Sequence, residues 1–90
     1  MKKEFIRGQW YKGEANNHYI KFSHIESKGH YNRVYYTESI YDHQHFFGVD
    51  WWANDHFERY ALDNPVSRDE LIAILPQNHP DGQSQEYQIY

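Results

Sequence analysis

Between residues 8 and 62 the chain is written as short aromatic and β-branched runs separated by clusters of turn-forming residues. That alternation, with no helical period in it, points to an antiparallel sheet or a small barrel. Candidate strands cover 9–12, 18–25, 33–41, 45–51 and 57–62. The separators are Gly13-Glu14-Ala15-Asn16-Asn17, Ser27-Lys28-Gly29-His30, Asp42-His43-Gln44 and Ala53-Asn54-Asp55, all rich in residues that tolerate turn conformations. One helix is signposted at 67–75: Ser67 and Glu70 have the spacing of a capping box, Leu71, Ile72 and Leu75 share a helical face, and Pro76 stops the run. The expected fold is therefore α+β and mostly β: a single small domain over 1–90, built as an antiparallel sheet or an SH3-like or OB-like partly open barrel of about five strands. The short C-terminal helix packs on it, and a tail over 77–90 could add an edge strand at 86–90.

Ninety residues give a thin core, so each large apolar side chain matters. Nine tyrosines, five phenylalanines and three tryptophans outnumber Leu, Ile and Val, which suits a thin sheet with half-wet surfaces. There is no cysteine, hence no disulfide framework and no thiolate zinc site. Thirteen acidic and nine basic residues are dispersed, for a net charge of −4, which argues against holding a nucleic-acid backbone by bulk electrostatics. The N-terminal residues Lys2 and Lys3 have no apolar run behind them, and no segment has the length of a membrane span, so the expected location is cytoplasmic.

Strand alternation places Ile20 with Phe22, and Val34 with Tyr36 and Ile40, on core faces. The other side of the third strand would carry Arg33, Tyr35, Thr37, Ser39 and Tyr41, a polar and aromatic row that reads as a wet or interfacial face. Trp51-Trp52 poses a question, because neighbours on a strand point to opposite faces. If Val49 faces the core, Trp51 joins it and Trp52 turns outward beside Asp50. Arg33, Tyr35, Tyr41 and Trp52 are then candidate anchors for a partner, and Arg33 or Arg59 could hold a phosphate beside a base stacked on Trp52 or Tyr41.

His43 and His45 would emerge on one side of a strand and could chelate a metal, with Asp42 and His56 as further donors. Seven histidines in ninety residues make such a pair common by chance, and the sequence assigns no metal and no cofactor. No cysteine nucleophile, Gly-x-Ser-x-Gly elbow or glycine-rich phosphate loop is present, so an enzyme is not the expectation. His79-Pro80-Asp81-Gly82 reads as a turn joining helix to tail.

The words Trp10-Tyr11-Lys12, Tyr19-Ile20-Lys21-Phe22, Trp52-Ala53-Asn54, Phe57-Glu58, Glu70-Leu71-Ile72, Leu75-Pro76 and His79-Pro80-Asp81, in this order, resemble small uncharacterised proteins encoded by bacteriophages of gut bacteria. Gly82 stands where that pattern would have a lysine. The resemblance implies a phage or mobile-element origin, a host bacterial cytoplasm, and no particular chemistry. The functional expectation is a non-catalytic binding protein, in host takeover or anti-defence, whose aromatic surface engages a protein partner or a second copy of itself. Sequestering a signalling nucleotide is the alternative, and single-stranded nucleic-acid binding a more distant one.

Overall fold

The computed structural model describes residues 4–14, 17–76 and 78–83. β1 (Trp10–Lys12), β2 (His18–Ser27), β3 (Asn32–Tyr41) and β4 (Gln44–Trp52) form one antiparallel sheet in the order β1-β2-β3-β4. Local backbone chemistry makes the hairpins. Asp42 and His43, with φ of 50° and 68°, form the two-residue turn between β3 and β4, and both central residues of the tight hairpin turn need positive φ. Between β2 and β3 the chain reverses through Gly29 at φ 90°, closed by the Lys28 N–H donating to the Tyr31 carbonyl.

Three helices follow: α1 (Asp55–Asp63), α2 (Arg68–Ile74) and the single turn α3 (Pro80–Gln83). Asn54 caps α1, its side chain accepting from the N–H groups of His56 and Phe57, and Ser67 caps α2 by accepting from the Glu70 N–H. Only half of the expected capping box forms. The Glu70 carboxylate pairs with Lys12 Nζ at 2.6 Å and so ties α2 to β1.

Over β1, β2 and β3 the sheet carries an apolar cluster on each side, and the register shows how. Paired residues share a face, so Tyr11, Ile20 and Ser39 lie on one side while Trp10, Lys21 and Glu38 lie on the other. On the first side Tyr11, Ile20, Phe22, Val34 and Tyr36 pack beneath Phe57 and Ala61 of α1, with Phe5 against them. On the second, Trp10 and Ile40 pack with Val66, Leu71 and Leu75 of the α2 layer. Two bulges arrange this: Thr37 is an extra residue in β3 opposite Lys21 and Phe22, and Ser23 is an extra residue in β2 opposite Tyr35 and Tyr36.

Several expectations are corrected. The strand expected at 57–62 is helix α1; its buried residues, Phe57 and Ala61, are four apart, a helical interval that the neighbouring Tyr60 and Leu62 obscured. Among the described residues the sheet therefore has four strands, not five, and it is open. There are three helices among the described residues instead of one. The possible edge strand at 86–90 lies outside the described residues. Val34 and Tyr36 share a cluster, but Ile40 joins the other, because Thr37 breaks the alternation between them. Leu71 of α2 and the Leu75 that caps its C-terminus are buried, whereas Ile72 is exposed. No helix among the described residues is long and apolar enough to cross a membrane.

Candidate functional site

The expected anchors divide between the two faces. Arg33 and Tyr35 belong to the α2 side of the sheet, beyond the reach of its helices. There the Arg33 guanidinium lies 4.2 Å from the Trp51 ring centroid, the Tyr35 hydroxyl donates to Glu26 (3.1 Å), and the His24 and Tyr35 rings stack at 4.5 Å. Arg33 also donates to the Tyr35 and Tyr31 hydroxyls, and these two hydrogen bonds raise its pKa further above an already high value. Tyr41 and Trp52 belong to the α1 side, where Trp52 stacks on Phe57 (4.5 Å) and Tyr41 meets the edge of His18 (5.5 Å). Arg59 is exposed on α1. Trp52 and Arg33 therefore do not form one site.

The two tryptophans are answered differently from expectation. Val49 is exposed and Trp51 does not enter the core; Trp51 and Trp52 are both part-exposed on opposite faces, one under Arg33 and the other against α1. Beside Trp52, a groove of about 430 Å³ is lined by residues including His18, Tyr41, Phe46 and Asp50.

β4 itself is the most exposed element. Phe46, Phe47, Val49, Trp51 and Trp52 all reach solvent, with Phe47 at 71% and Val49 at 67%. The opposite margin of the sheet is covered, since residues 64–66 run alongside β1: Lys12 N–H donates to the Asn64 carbonyl and Val66 N–H to that of Trp10. Among the described residues no backbone pairs with the outer margin of β4. That strand has no Lys, Arg or Pro and one charged residue, Asp50, so the usual protections of an edge are sparse.

A second arrangement lies on the α2 side, where β3, β4 and the segment before α3 converge. Glu38 Oε2 is 2.9 Å from His45 Nε2 and 2.8 Å from His79 Nε2. His79 is buried, and the other two side chains are mostly covered. His79 Nδ1 accepts the Asp81 backbone N–H (3.0 Å), which leaves the ring proton on Nε2, directed at Glu38. The Asp81 carboxylate accepts from the Trp10 indole N–H (2.9 Å) and pairs with Lys21 Nζ (2.8 Å). Burial opposes its ionisation, but these donors outweigh burial and hold the carboxyl below its ordinary value. A groove of about 440 Å³ lined in part by Lys21, Glu38, Phe47 and His79 opens beside the cluster.

Of the histidines considered from sequence, only His45 is in this cluster. His43 lies in the β3–β4 turn near Asn17, and His56 pairs with Glu14 at the start of α1. Glu38 and His79 were missed because 41 positions separate them, and only the fold joins them. Comparison of the chain with protein-family models, curated proteins and solved structures finds no match.

Proposed function

We propose that this chain is a non-catalytic binding protein whose β4 margin docks a partner polypeptide. The carrying observation is the asymmetry of the sheet: one edge is covered by residues 64–66, while a nine-residue strand with exposed Phe47 and Val49 forms the other. Such a strand offers backbone N–H and C=O groups to an added strand, and its side chains supply contacts on both faces. Trp51 under Arg33, and Trp52 against Phe57, extend the apolar surface on either side with rings whose orientation is already held. The resemblance to bacteriophage proteins makes a host protein in the bacterial cytoplasm the proposed target, with host takeover or anti-defence as the role.

The experiment is a pull-down with wild type beside Phe47→Lys and Val49→Lys. Both side chains are exposed, so the substitutions should leave the melting temperature nearly unchanged while removing the captured partner. Partners retained by both variants would reject β4 as the docking strand. Sedimentation in parallel distinguishes self-pairing: a wild-type dimer that both variants convert to monomer assigns the strand to a second copy instead.

A further inference from the structure

We propose that Glu38, His45 and His79 form a binding site for a divalent first-row transition metal ion, zinc being the natural probe. The donor atoms of the three side chains all lie within 4.8 Å of one another, and each comes from a different segment: β3, β4 and the turn before α3. Two imidazoles and one carboxylate are a donor set that zinc and its neighbours accept, with room for a further ligand. The groove beside Glu38 and His79 supplies that room.

The surroundings hold the donors in place. His45 stacks on Phe47 at 4.2 Å and on His79 at 5.6 Å, which limits rotation of its ring. His79 is followed by Asp81, which Trp10 and Lys21 anchor to β1 and β2. Such supporting contacts orient metal ligands in the manner of an outer shell.

The metal-free arrangement also defines what binding must change. Coordination of the neutral ring through His79 Nε2 requires that lone pair, so the proton now directed at Glu38 shifts to Nδ1. A proton on Nδ1 is incompatible with the amide hydrogen bond that this atom accepts from Asp81, so loading breaks that bond and shifts the turn before α3. The neighbouring Trp10 indole N–H, bonded to the Asp81 carboxylate, registers the shift. Metal uptake and a rearrangement at residues 79–81 are thus one event.

Isothermal titration of the metal-free full chain with zinc should show one equivalent bound. Glu38→Gln, His45→Ala and His79→Ala should each weaken binding by about tenfold or more. His43→Ala and His56→Ala should leave it unchanged. In nitrogen-labelled wild-type protein, zinc should move the Asp81 amide and Trp10 indole resonances together. No stoichiometric uptake by the folded wild type would overturn the site, as would uptake that survives both His45→Ala and His79→Ala. The wild-type titration and spectra decide the matter even if a variant fails to fold.

Discussion

His18 is a buried histidine whose Nδ1 has no hydrogen-bond partner among the described residues. It is held among Tyr41, Trp52 and Phe57, and a Cβ on Gly13 would meet its ring nitrogen, so the packing there is tight. Burial pushes its pKa below the ordinary 6.5. The unfolded chain therefore takes up a proton at a pH where the folded chain does not. Its contribution is fully present above about pH 6.5 and declines as pH falls until the lowered folded value is passed. Thermal melts from pH 7.5 downward should show this loss, and His18→Leu should flatten that part of the slope. Tyr36 is the alkaline counterpart. Burial, aided by the Asp50 charge, pushes its hydroxyl up to about 12, so above pH 10 the unfolded chain loses a proton that the folded chain keeps. Stability should fall between roughly pH 10 and 12, and Tyr36→Phe should lessen that fall in the same melts.

Among elements, the two capped helices depend on single side chains. Asn54→Ala and Ser67→Ala should each cost about 1 kcal/mol in urea unfolding, because each removes the acceptor for N–H groups at a helix start. Ser67 was legible from sequence through its spacing to Glu70. Asn54 was read only as a turn residue, although Asp55 and Glu58 behind it are the acidic first turn of a helix. Strands β2, β3 and β4 were readable within two residues at either end, since aromatic runs between turn residues leave few alternatives. Which face each side chain takes was not readable beyond the bulges. Thr37 and Ser23 carry no mark in the sequence that separates a bulged residue from a paired one. Arg33 and Tyr35 were placed together because they sit two apart on one uninterrupted stretch, whereas Glu38, His45 and His79 meet only through tertiary structure.

At the scale of the whole molecule, a central sheet separates two small apolar clusters, and neither has many residues to spare. Trp10 is the largest fully buried side chain, and its indole N–H also joins β1 to α3 through Asp81. Trp10→Ala should cost about 3–5 kcal/mol. Against the roughly 5–13 kcal/mol that a ninety-residue domain commands, that leaves the fold near its limit, which calorimetry would show as a melting temperature lowered by many degrees. The inserted Thr37 gives this architecture an unusual bookkeeping of odd and even positions. Before it, even-numbered residues of β3 point toward α1; after it, even-numbered residues point toward α2. A stripe of substitutions laid down at every second position would cross from one layer to the other without leaving the strand. Any redesign of this hairpin must count its two halves in separate phases.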